Sequence, residues 1–132
     1  MITNNQIFDF IERKTNTSER PVYCASRYEL VPDSFPCAYI SEVSRVRNIR
    51  NVTFDFNDEQ YRVIWEVQVF SNKTNGGLAE CYSIIEDVER AFNEMYFRQT
   101  MRNQVTSADP KVTRVVARFE RIICAVDEMP VN

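Results

Sequence analysis

The stretch from Glu59 to Asn72, EQYRVIWEVQVFSN, limits the possible folds more than any other part of the chain. Tyr61, Val63, Trp65, Val67 and Val69 alternate with Arg62, Ile64, Glu66, Gln68 and Phe70, so one side of a strand is almost wholly apolar and the other more polar. A strand of this kind fits an antiparallel sheet that is covered on one side. Trp65, standing among valines on the apolar side, is expected in the core. The cover follows directly, because Leu78, Cys81, Ile85, Val88, Phe92 and Met95 recur at steps of three and four, the stripe of an amphipathic helix. Its other face, with Glu80, Ser83, Asp87, Arg90 and Glu94, is expected to meet solvent.

The corner between strand and helix, SNKTNGGLAE, holds the only two glycines of the chain, Gly76 and Gly77. Strand, glycine turn and helix can cradle a phosphate, but a P-loop needs its glycines before the lysine so that backbone N–H groups curl around the anion. Here Lys73 and Thr74 precede the glycines, and no dinucleotide-binding G-x-G-x-x-G is present. A structural turn is the expected role, with glycine relieving the backbone.

The flanks complete an α+β pattern. Residues 3–14 have Thr3 and Asn4 as possible N-caps and an apolar stripe of Ile7, Phe8 and Ile11, which predicts a short first helix. PVYCAS, from Pro21, reads as a short strand. Pro32 and Pro36 bracket the loop after it, and Cys37–Ser44 reads as another strand, with Ala38, Ile40 and Glu42 on one side. Arg45–Asn51 brings three arginines, Arg45, Arg47 and Arg50; then Val52, Phe54 and Phe56 alternate into an Asn57–Asp58 turn, which predicts a protruding hairpin. Residues 97–107 are strand-like but polar. The last strand, from Lys111 to Val126, has Val115, Ala117, Phe119 and Ile123 on one face and Arg114, Val116, Arg118, Glu120 and Ile122 on the other. That charged face matches Arg62 and Glu66 in kind, so the two long strands are expected to be neighbours with paired charges. The expected fold is a single 1–132 domain with a mostly antiparallel sheet, amphipathic helices packed on one face, and a flexible tail from about residue 125.

Function classes narrow by composition. At 44% hydrophobic, 132 residues can bury a core without staples. The chain has no histidine, which removes the commonest general base, metal ligand and partner of a nucleophile. Cys24, Cys37, Cys81 and Cys124 are far apart with no C-x-x-C pair, so buried free thiols are expected and no metal or cofactor. Glu86, Asp87 and Glu89 spread around a helix and do not converge as a catalytic pair would. A net charge of -3 gives no reason to expect a grip on nucleic acid. No apolar run is long enough for a membrane span and the start lacks a secretory signal pattern, so the chain reads as cytoplasmic and the sequons at Asn16, Asn51 and Asn72 as chance matches.

The order of these elements, with FPCAYISEV at Phe35–Val43, VFSNK at Val69–Lys73 and the helix after it, and RVVARFE at Arg114–Glu120, resembles the tail terminator, or tail completion, proteins of long-tailed bacteriophages. The likeness runs from about Ile7 to Cys124 and is strongest to small proteins of this kind in phages of Gram-positive bacteria. It implies a ring, usually a homohexamer, at the head-proximal end of the tail tube. There the ring would end tube polymerisation and join tail to head-completion or connector proteins, while DNA passes through the lumen without specific binding. It also implies a virion location in the tail–neck region after assembly in the host cytoplasm, with no enzyme activity and no membrane partner. The family has no catalytic residues to transfer. Expected contact residues are Arg45, Arg47, Arg50, Asn72, Lys73, Thr74, Arg114 and Arg118. Two other readings stay open: a head–tail connector protein on the portal side, and a small nucleotide-binding module using Lys73 to Gly77.

Overall fold

A computed structural model of the chain describes residues 1–26, 34–47 and 60–130. The described elements are helix α1 (Asn4–Thr15), strands β1 (Tyr23–Ala25), β2 (Cys37–Arg47) and β3 (Gln60–Ser71), helix α2 (Gly77–Glu94), and strands β4 (Arg98–Val105) and β5 (Thr113–Cys124). The strands form one sheet in the order β1-β2-β3-β5-β4. Only β1 runs parallel to its neighbour; the other pairings are antiparallel. This is an α+β fold with both helices packed against the sheet.

The strand with the clearest alternation is the central one. β3 pairs with β2 on one side and with all of β5 on the other, from Gln60 opposite Cys124 to Ser71 opposite Thr113. Its apolar row, Val63, Trp65, Val67 and Val69, is buried together with Ala38 and Ile40 of β2 and Val115, Ala117, Phe119 and Ile123 of β5. α2 closes this face with Cys81, Ile84, Ile85, Val88, Ala91 and Phe92. The Phe92 ring stacks on Phe119 with centroids 4.3 Å apart and meets Phe97 edge-on at 5.2 Å. Aromatic pairs add about 0.5–1.5 kcal/mol beyond the area they bury.

α1 starts with a capping box: Gln6 N–H donates to Thr3 Oγ1, and Thr3 N–H donates to the Gln6 side chain at 2.9 Å. Thr3 is therefore the cap, and Asn4 opens the helix. Ile7, Phe10 and Ile11 face the core, and Lys14 reaches Glu94 of α2 at 3.6 Å.

Several expectations need correction. Leu78 is 38% exposed, although Gly77 before it lies against Thr113 in the last rung of the sheet. Ile84 and Ala91 occupy the core in addition to the expected stripe. The polar face of α2 is not simply solvated: Arg20, in the link after α1, donates to Ser83 and to Asp87, and Asp87 also accepts from Arg90. Strand β2 continues past Ser44 to Arg47, with a register irregularity between Glu42 and Ser44 that sets Arg45 opposite Val63 on the helix-covered side. The tail makes contacts as far as Met129, which packs against the core; Asp127 accepts from Cys124 N–H at 2.7 Å and from Arg121 at 3.0 Å. The hairpin expected at 52–58, and with it Arg50, lies outside the described residues.

The four cysteines are unbridged. Burial pushes the thiols of Cys24 and Cys81 up to about 12. Among the described residues, no helix is long and apolar enough to cross a membrane.

Candidate functional site

The glycine corner is built from backbone requirements. Gly76 is the residue before α2 and has φ 79°, a left-handed conformation in which a side chain is strained. Gly77 has another reason to lack a side chain: a Cβ there would stand 3.0 Å from Thr113 Oγ1. The helix N-terminus is already answered by the chain's own charges. Glu80 accepts from the buried Ser71 hydroxyl at 2.7 Å and pairs with Lys73 Nζ at 3.1 Å. An incoming phosphate would have to displace that lysine and face the Glu80 carboxylate. Asn72, Lys73 and Thr74 are exposed around this closed arrangement.

The sheet face opposite the helices carries the paired charges expected from the sequence. Arg62 of β3 bonds Glu120 of β5, and Glu66 of β3 accepts from Arg118 of β5 at 2.8 Å. Arg62 holds the Glu120 carboxyl below its usual value by donating to it, against a smaller opposing effect of burial. Arg114 donates twice to Gln68, at 2.7 and 3.0 Å, and lies over the Phe70 ring. Phe70 belongs to a second buried cluster on this side with Cys37 and Tyr39, packed by Ala25, Phe35 and Val112. One end of the open face is thus sealed, and its middle is an ion-pair ladder.

The expected contact residues do not form one site. Arg45 and Arg47 lie at the end of β2 opposite Val63 and Tyr61, whereas Asn72 to Thr74 follow the other end of β3. Arg45 serves the fold itself: it pairs with Glu42 at 2.8 Å and donates to the Ile2 carbonyl at 3.0 Å. Arg114 and Arg118 share the open sheet face.

Sequence reasoning missed the corner where α2 ends. Tyr96 N–H donates to Asn93 O at 3.0 Å and Phe97 N–H to Phe92 O at 2.9 Å. With the Phe92–Phe97 ring contact, this is a Schellman ending, whose left-handed position glycine normally fills. Here Tyr96 fills it at φ 64° and remains 80% exposed. The Arg121 guanidinium lies 5.6 Å from the Tyr96 ring centre and is fixed by the Met95 carbonyl and Asp127. Arg98, Glu120 and Ile122 border the same hollow as Tyr96 and Arg121. Next to it, Val46, Arg62 and Ile122 form a row across β2, β3 and β5, with Val46 59% and Ile122 44% exposed. Absence of glycine after Phe92 conceals this ending in the sequence, although Ile122 on the charged face was visible.

No protein-family model matches the chain, and no curated protein is significantly similar to it.

Proposed function

We propose that this protein is a structural ring subunit of a long-tailed phage, a tail terminator that ends tube growth and joins the tail to the head. The observation that carries the reading is the two-sided sheet. Both helices and the long hydrophobic core lie on one face, while the other keeps an ion-pair ladder and, at one end, exposed apolar side chains. Such a layer has a rigid back and a contact-ready front, which suits a protein that works by surfaces. This agrees with the sequence resemblance carried by Phe35–Val43, Val69–Lys73 and Arg114–Glu120, segments that supply β2, the β3–α2 corner and β5. The occupied Lys73–Glu80 corner weighs against the nucleotide-binding reading.

In a ring of identical subunits each copy uses two different surfaces, and the rotation between neighbours closes the circle. The partners are then further copies of the chain, the tail tube protein, and a head-completion or connector protein, with DNA passing through the lumen. The test is to add the purified protein to polymerising tail tube protein and measure tube lengths by electron microscopy. Tubes capped at one end and arrested in growth are the expected result. Unchanged tube growth with no bound protein would overturn the terminator role, and capture by portal complexes alone would move the protein to the connector station.

A further inference from the structure

We infer that the segment after β5, residues 125–130, is an exchange arm that seats on the outer side of α1 in a second copy of this chain. The inference rests on the ring reading and deepens it by naming two surfaces that meet.

Arm and seat are both visible within one copy. Met129 packs against the core, and Met129 and Pro130 border an open hollow together with Gln6, Asp9, Phe10 and Arg13 of α1. This fit identifies the occupant, because the seat meets the same Met-Pro pair whichever copy supplies it. Phe10 is buried there, while Gln6, Asp9 and Arg13 are exposed, so the seat lies on the molecular surface. The hollow keeps about 340 Å³ of open space, so the arm and the helix are not sealed to each other.

A local turn folds the arm back onto its own copy. Asp127 accepts from the Cys124 N–H at 2.7 Å and from Arg121 at 3.0 Å, and its own N–H donates to the Cys124 carbonyl at 3.1 Å. All three bonds join Asp127 to residues just before it; they set the arm's direction without tying it to α1. Among the described residues the arm belongs to no strand or helix. Val126, inside the turn, is already 73% exposed, so opening the turn uncovers little apolar surface there. Five extended residues span about 17 Å, which carries Met129 to a neighbour whose α1 lies within that distance of Cys124. Exchange of an identical element keeps every seat contact and is a low-cost route to association. The arm leaves the end of β5 and the seat is on α1, so donor and acceptor surfaces differ. Arms passed from copy to copy therefore make head-to-tail contacts, the kind that closes rings.

The test is disulfide trapping in the full chain, read by non-reducing electrophoresis after mild oxidation. Asp9→Cys places a thiol on the seat and Met129→Cys places one on the arm. Mixed while dilute and then concentrated, the two variants are expected to give a disulfide-linked dimer that is absent from either variant alone and is lost on reduction. The parent, whose four cysteines are unbridged, sets the background. The chain carrying both substitutions is expected to yield covalent multimers, whereas an arm kept on its own copy would close the bond inside single chains. Gln6→Cys with Pro130→Cys repeats the measurement on the same hollow if Met129→Cys lowers the melting temperature. Bonds formed only inside single chains, with multimers still seen by native mass spectrometry, would overturn the exchange and leave the ring reading standing. No bond of either kind from both pairs would overturn the arm and its seat. A parent chain that stays monomeric, also with tail tube protein present, would overturn the ring reading and the exchange together.

Discussion

Tyr96 and Gly76 are the two described residues with positive φ, and they bound α2 at its opposite ends. At Gly76 the residue type agrees with the backbone; at Tyr96 it does not. A left-handed conformation costs an L-residue about 1–2 kcal/mol, part of which glycine returns through its greater freedom in the unfolded chain. Tyr96→Gly should therefore stabilise the fold by about 0.5–1 kcal/mol, seen as a higher urea midpoint with an unchanged slope. A lower midpoint would mean that the Tyr96 ring contributes to folding through Arg121. Glu120 provides a pH-dependent counterpart. Its folded carboxyl lies below the usual range because Arg62 donates to it, so the unfolded chain takes up the proton first as pH falls. The resulting stability is present above the ordinary carboxylate range and is lost as pH drops through the folded value. Glu120→Gln should flatten that acid limb slightly, since Arg62 is largely exposed and solvent screens the pair. Chemical denaturation at several pH values compares the two.

At the scale of elements, what could be read in advance and what could not have different physical origins. The alternation in β3 and β5 and the three-and-four spacing in α2 follow from burial against one face, and burial leaves a periodic trace in the sequence. Neighbouring β3 and β5 were also legible, because Arg62, Glu66, Arg118 and Glu120 reveal complementary charged rows. The irregularity in β2 left no trace: one extra residue near Val43 moves Arg45 to the inner side, and no glycine or proline marks it. Leu78 misled because it fits the spacing of the stripe yet stands exposed in the first turn of α2. Asp87 misled because its partner, Arg20, lies far away in sequence. The candidate site was legible only in its charged sheet face; the Tyr96 corner depends on a helix ending that lacks its usual glycine. The helix–sheet seam itself can be tested. Phe92 touches Trp65, Phe97 and Phe119, and Phe92→Ala should cost about 3–5 kcal/mol. A loss under about 1 kcal/mol would mean that α2 is not the main cover of the sheet.

For the whole molecule, the sheet separates two surfaces: one packed under the helices and an open one that carries the Arg62–Glu120 and Arg118–Glu66 pairs. In the proposed ring, association would use two different surfaces of each copy and add copies in sequence until rotation returns to the first. Contacts made through exposed charges would be sensitive to salt, since interactions beyond about 8 Å are screened at physiological ionic strength. The central claim, that the chain works as a ring, is tested most directly by native mass spectrometry over a range of protein concentrations, with and without tail tube protein. A discrete closed multimer, a hexamer by family resemblance, is expected, with no ladder of open chains beyond it. A 15.6 kDa species as the sole form under every condition would contradict it.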